Sequence, residues 1–137
     1  MIVMLAGKYN MVLQQGSTFD QLLTLKYPNP DFPADCQDPE NCPEYVVWDL
    51  TGYTARMQVR KYVESATAHI ELNTTNAGGY PRIVLGGVNG TIQLFIRAED
   101  TNVITQSGFY DLEITAPNNE VDRILEGTFT VSRQVTQ

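Results

Sequence analysis

"YTARMQVR", residues 53–60, decides the fold class by its alternation. Tyr53, Ala55, Met57 and Val59 fall on one side of an extended chain, with Thr54, Arg56, Gln58 and Arg60 on the other. An apolar face and a polar face at period two describe an antiparallel strand covered on one side and solvated on the other. The same residues on a helix would be mixed around its circumference.

The pattern recurs outward from this stretch. "AHIELNT" (68–74) turns Ala68, Ile70 and Leu72 inward, and "TIQLFI" (91–96) does so with Ile92, Leu94 and Ile96. "YDLEIT" (110–115) contributes Tyr110, Leu112 and Ile114, and "LEGTFTV" (125–131) contributes Leu125, Gly127, Phe129 and Val131. Asn89-Gly90 tolerates positive φ and predicts a type I′ hairpin, while Pro117-Asn118-Asn119-Glu120 predicts a second hairpin loop. Residues 97–108 break the alternation and read as one helical or 3₁₀ turn. Two further strands are expected at 9–15 and 17–27. In the second, Phe19, Leu22, Leu23 and Leu25 crowd both faces, so it reads as a central strand covered on both sides or one with a bulge. Seven or eight short strands without a long helix predict an all-β sandwich, with a small barrel as the competing arrangement.

The 137 residues suit one domain, 1–137. A net charge of −7 with scattered Lys and Arg argues against nucleic acid and against an anionic membrane surface. No stretch approaches the roughly 18 consecutive apolar residues of a spanning helix. "MIVMLAGK" has no basic residue ahead of its short apolar run and is a poor signal peptide, so synthesis in a cytosol without export is expected. Asn73-Thr74-Thr75 and Asn89-Gly90-Thr91 match the glycosylation acceptor pattern, which without a secretory signal reads as chance.

Ahead of the 53–60 strand, Asp49-Leu50-Thr51-Gly52-Tyr53 reads as a structural corner. Gly52 supplies unusual φ, Asp49 and Thr51 bond nearby amides, and Leu50 anchors inward. One carboxylate and one hydroxyl without a base make no active site. The segment 27–48, "YPNPDFPADCQDPENCPEYVVW", is a Pro/Cys-rich loop insertion, long for a hairpin connection and holding five of the seven prolines. Cys36 and Cys42 within it are open to three readings: a disulfide, free thiols, or part of a metal site that lacks its other ligands. Asp31, Asp35, Asp38, Glu40 and Glu44 lack the spacing of an EF-hand and read as a solvated acidic loop.

His69 is the only histidine and is expected on an outward face, unsupported as a base. Asp111/Glu113 and Asp122/Glu126 are likewise outward, and "GGVNG" precedes a strand rather than a phosphate-binding helix. No cofactor, metal or enzymatic activity is expected. Tyr45, Trp48, Tyr62 and Tyr80 lie in or near loops, where exposed rings anchor interfaces or stack on sugars, and Trp48, which follows "YVV" into the corner, is equally open to burial at the core edge.

"YNMVLQQGSTFDQLLTL" (9–25), "DLTGYTARMQVR" (49–60), "GTIQLFIRAEDT" (90–101) and "GFYDLEITAPNNEVDRILEGTFTVSRQVT" (108–136) together resemble a group of small bacteriophage virion proteins. Their order is also similar to the N-terminal β-sandwich of phage upper-baseplate proteins. The resemblance spans almost the whole chain except 27–48, where that group has a short Asp/Gly turn. Arg133-Gln134 also stands where the group has Pro-Glu. The resemblance implies an Ig-like module that does no chemistry and packs, in oligomeric form, on other virion proteins of the tail or baseplate. It would be assembled in the host cytoplasm. A capsid decoration protein and a receptor- or carbohydrate-binding module using Trp48 or Tyr80 are the alternatives. Residues 1–8 and 132–137 are then candidate arms, the first because its apolar side chains are costly to leave bare.

Overall fold

The computed structural model describes residues 7–28, 45–76 and 79–135. These form eleven strands: β1 (Gly7–Lys8), β2 (Met11–Gln14), β3 (Phe19–Thr24), β4 (Lys26–Pro28), β5 (Tyr45–Val47), β6 (Thr54–Arg60), β7 (Ile70–Asn73), β8 (Ile83–Leu85), β9 (Thr91–Ile96), β10 (Gly108–Thr115) and β11 (Val121–Ser132). One helical turn, α1 (Ala98–Thr101), falls within the 97–108 connection.

The larger sheet runs β1–β11–β10–β6–β7, with β2 also on β11; the smaller runs β3–β9–β8; β4 and β5 form a separate pair. All ladders are antiparallel except those of β1 and β2, which lie parallel on β11 through Gly7↔Leu125 and Met11↔Phe129. The alternation predicted for 53–60 is observed: β6 buries Ala55, Met57 and Val59. Their partners on the inner face include Leu13, Leu72, Leu112, Ile114 and Phe129 from the larger sheet, and Phe19, Ile83, Ile92, Leu94 and Ile96 from the smaller. A β3–β9–β8 sheet facing one in which β10 lies between β6 and β11 has the strand order of an immunoglobulin-like sandwich. The barrel alternative falls, because among the described residues no ladder joins the two sheets.

Sandwiches of this order often place a disulfide between the sheets, and here the only cysteines lie at 36 and 42, outside the core strands. Aromatic packing occupies the centre instead: Phe129 meets Phe19 at 5.7 Å and Tyr110 at 6.5 Å between ring centroids.

Four expectations need correction. The strand at 17–27 is split: β3 ends at Thr24, Leu25 crosses over, and β4 begins a different sheet. It is not a central strand either. Among the described residues β3 pairs only with β9, and Leu22 is 67% exposed on the outer surface. The Asn89-Gly90 hairpin is not type I′, since Asn89 has no positive φ. A 3₁₀ turn, Gly87–Asn89, precedes left-handed Gly90, because the Gly87 and Gly90 carbonyls accept the Leu50 and Leu25 amides. In β11, a register shift opposite Leu112/Glu113 inserts one residue, so Ile124 is buried while Leu125 packs only partly against the core. Finally, Gly7 and Lys8 are paired strand residues rather than arm, Ser132 ends β11, and the Gln134 amide donates to Gln15 Oε1 at 2.9 Å.

Candidate functional site

The stem of the insertion is built by β4 and β5, paired Lys26↔Val47, Tyr27↔Val46 and Pro28↔Tyr45. The ends of the segment read as irregular loop are therefore a two-stranded ladder. Residues 29–44, with Cys36, Cys42 and the acidic group Asp31 to Glu44, lie outside the described residues. Trp48 follows directly. Its amide donates to the Leu25 carbonyl, its indole Nε1–H reaches the Tyr53 hydroxyl at 3.3 Å, and its ring meets Tyr27 edge-on at 5.6 Å. Half-buried against the core, Trp48 holds the stem to the sandwich. Tyr45, by contrast, is 52% exposed on β5.

The corner beneath the stem is a hydrogen-bonded turn. Asp49 Oδ1 accepts both the Thr51 hydroxyl (2.6 Å) and the Thr51 amide (3.0 Å), and these hold its carboxyl below the ordinary value. Leu50 is buried, Gly52 has φ +80°, and the Tyr53 amide donates to the Leu50 carbonyl.

Tyr80 belongs to a polar cluster around α1. Its hydroxyl donates to Asp100 at 2.8 Å and accepts the Arg97 amide at 3.0 Å. The Arg97 and Arg82 guanidinium carbons stand 4.2 and 5.3 Å from its ring centroid. Tyr80 is thus engaged internally, and a sugar stacking on it would have to displace Arg97. The Tyr80 hydroxyl, with Arg97 beside it, holds the Asp100 carboxyl below its ordinary value.

The outward face of the larger sheet forms a shallow depression of about 320 Å³. Glu71 accepts Gln58 Nε2 (2.8 Å) and Arg56 Nε (2.9 Å), which hold its carboxyl below the usual range. Arg60 bonds the Gln58 side chain and the Ser65 carbonyl at 2.8 and 2.7 Å. Arg123 stands between Glu126 (3.6 Å) and Asp111 (4.0 Å), and Glu126 also pairs with Lys8. One end of this charge-balanced floor carries Phe109 and Val63, exposed at 44% and 77%, with Tyr62 and its neighbour Lys61 beside them in the chain. Phe109 was not singled out from the sequence. Its parity, opposite to buried Tyr110 and Leu112, was the available signal.

His69 is half-buried rather than fully outward, and its Nε2–H donates to the Gln106 carbonyl at 3.0 Å. Among the described residues no three His, Cys, Asp or Glu side chains are grouped as metal ligands, and no helix is long and apolar enough to cross a membrane.

No protein-family model and no curated protein matches this sequence. Among solved structures, the chain is similar to one described in work on multimeric cell-adhesive interactions of VGSC beta subunits, at 13% identity and TM-score 0.38, covering 99% of each chain. It is also similar to Drosophila OTK extracellular domains 3–5, at 18% identity and TM-score 0.32, covering 95% of this chain and 33% of that one. The assignment of the fold rests on strand order and register, to which likenesses this distant add nothing.

Proposed function

We propose that this chain is a non-enzymatic structural protein of a bacteriophage particle, a tail or baseplate component that joins tail-tip proteins or fibres by protein–protein packing. One observation supports the reading above the others. The four stretches that resemble small phage virion proteins fall on β2 and β3, on the corner with β6, on β9 with α1, and on β10–β11, which together make most of the sandwich framework. The stretch outside the resemblance is the insertion, mounted on the β4–β5 stem beside exposed Tyr45.

The packing surface in this reading is the outward face of the larger sheet. Phe109, Val63 and Tyr62 supply apolar anchors, and the Arg56, Arg60, Arg123 and Glu126 side chains a polar surround, the usual division of labour at protein interfaces.

Quantitative mass spectrometry of purified particles, separated into heads and tails, tests the proposal. Recovery with tails at a few copies per particle is the expected result. Recovery with heads in near-stoichiometric ratio to the major capsid protein would make the chain a capsid decoration protein, and absence from particles would overturn the virion reading. A carbohydrate- or receptor-binding module would instead show saturable glycan binding lost in Tyr45→Ala, the most exposed of the three rings at issue, Tyr45, Trp48 and Tyr80.

A further inference from the structure

The outer face of the smaller sheet differs in chemistry from that of the larger. Outward positions of β6, β10 and β11 carry Arg56, Arg60, Asp111, Glu113, Arg123 and Glu126. Those of the smaller sheet carry Leu22 and Thr24 on β3, Thr91, Gln93 and Phe95 on β9, and Val84 on β8, with Asp20 the one charged side chain. In a chain of net charge −7, charge is withheld from this face as it is from the centre of protein interfaces. Leu22 and Val84 stand in one row across the sheet, on either side of Gln93, and are 67% and 48% exposed. Gln93 between them donates from Nε2 to Asp20 Oδ1 at 3.1 Å, so its amide is already engaged within the chain. Apolar residues on both faces of β3 are the pattern of a strand covered on both sides, yet Leu22 lies bare.

We infer that this face packs on the same face of a second copy of the chain, about a two-fold axis running along β9, so that β3 of one copy lies over β8 of the other. β9 is the middle strand, and rotation about it exchanges β3 with β8. Leu22 of each copy is then set on Val84 of the other, apolar on apolar in both halves of the contact. Charge follows the same exchange. Asp20 pairs with Phe95, whose amide donates to the Arg82 carbonyl, so Asp20 and Arg82 stand level on opposite sides of β9. On the Arg82 side, Tyr80 packs edge-on against Phe95 at 6.3 Å, and the Arg97 guanidinium lies 4.2 Å from the Tyr80 ring centroid. Arg97, though paired with Glu99 and Asp100, keeps a side chain 46% exposed. The exchange sets Asp20 of each copy over the Arg82 and Arg97 side of the other. An in-plane axis perpendicular to β9 and through Gln93 would instead set Leu22 on Leu22 and Asp20 over Thr24, with no cation for the carboxylate. Such an isologous contact closes at two copies. It leaves the outer face of the larger sheet free in both, and it stands independently of the proposed virion role.

Sedimentation velocity of the full chain is the test. A monomer–dimer equilibrium is expected between about 1 μM and 1 mM, because a three-stranded face makes a small interface. Leu22→Lys and Val84→Glu should each weaken the dimer at least about tenfold, by burying an unpaired charge twice. Both positions are exposed in the single copy, so the melting temperature of the dilute monomer should not move. An equimolar mixture of the two variants should dimerise again. One half of the mixed contact then holds an ammonium opposite a carboxylate, and the other keeps native Leu22 on native Val84. A native chain that stays monomeric across the range would overturn the inference. Variants that dimerise as tightly as the native chain would overturn it by moving the contact to another face. A mixture that remains monomeric would overturn the pairing of β3 with β8, and with it the two-fold arrangement.

Discussion

Gly90 is the residue where three backbone paths meet. At φ +65° its carbonyl accepts the Leu25 amide at 2.8 Å. A Cβ there would stand 2.4 Å from Val47 Cγ1, 2.8 Å from the Trp48 carbonyl oxygen and 3.0 Å from that of Leu25. Gly90→Ala is therefore expected to cost about 2–3 kcal/mol, read as a lowered urea midpoint at unchanged slope. A change within about 0.5 kcal/mol would mean that the loop yields. Tyr110 makes the second residue-scale case. Burial, with Tyr9 nearby, pushes its hydroxyl from an ordinary 10.0 up to about 12, and the hydroxyl donates to the Tyr9 carbonyl. Between these values the folded chain keeps a proton that the unfolded chain releases. The group's stabilisation is thus complete below pH 10 and lost as pH rises toward 12. Tyr110→Phe should cost about 1 kcal/mol at neutral pH and flatten the alkaline fall in stability; an unchanged alkaline limb would assign that fall elsewhere.

At the scale of elements, β11 shows how one inserted residue redistributes the core. Simple parity from Phe129 back along the strand selects Gly127 and Leu125 as inward, but the bulge opposite Leu112/Glu113 hands the deep position to Ile124. Ile124→Ala should cost about 2–4 kcal/mol, and Leu125→Ala measurably less, because Leu125 retains solvent contact. Equal costs by chemical denaturation would mean that the bulge does not persist in solution. The first strand shows a different device. Between β1 and β2, the Thr128 amide donates to Asn10 Oδ1 at 3.1 Å, so a side chain stands in for a backbone acceptor while the parallel register on β11 continues.

For the whole molecule, net charge and paired carboxylates set the response to acid. Asp100 and Glu71 both have carboxyls held below their ordinary values of 3.8 and 4.5, the first by Tyr80 and Arg97, the second by Gln58 and Arg56. A depressed folded value means that the stabilisation is present above the ordinary value and lost as pH falls below it. Melting temperature should hold near neutrality and drop below about pH 4, with a shallower drop in Asp100→Asn. An identical acid limb in that variant would show that the α1 cluster contributes nothing to it. The same cluster ties the chain together across sequence, since buried Thr101 donates to the Ser17 carbonyl at 2.7 Å and accepts the Gly16 amide at 3.1 Å.

Alternation alone determined that the chain is all-β and which side of β6, β9 and β10 is buried, because side-chain direction in a strand is a local property of period two. The corner at 49–53 was legible for the same reason: its bonds join residues two or three apart. Tertiary structure decided what depends on neighbours distant in the chain. Parity gives a face but not a partner, so the parallel seating of β2 on β11 through Met11↔Phe129 could not be read in advance. Nor could the break at Leu25, the turn at Gly87–Gly90 or the exchange of Leu125 for Ile124, each imposed by backbone bonds or register from another strand. The aromatic rings divided similarly. Sequence marked Tyr45, Trp48 and Tyr80 as loop aromatics and left Trp48 open to burial at the core edge; packing left Tyr45 exposed, pinned Trp48 between Tyr27 and Tyr53, and set Tyr80 against Arg97.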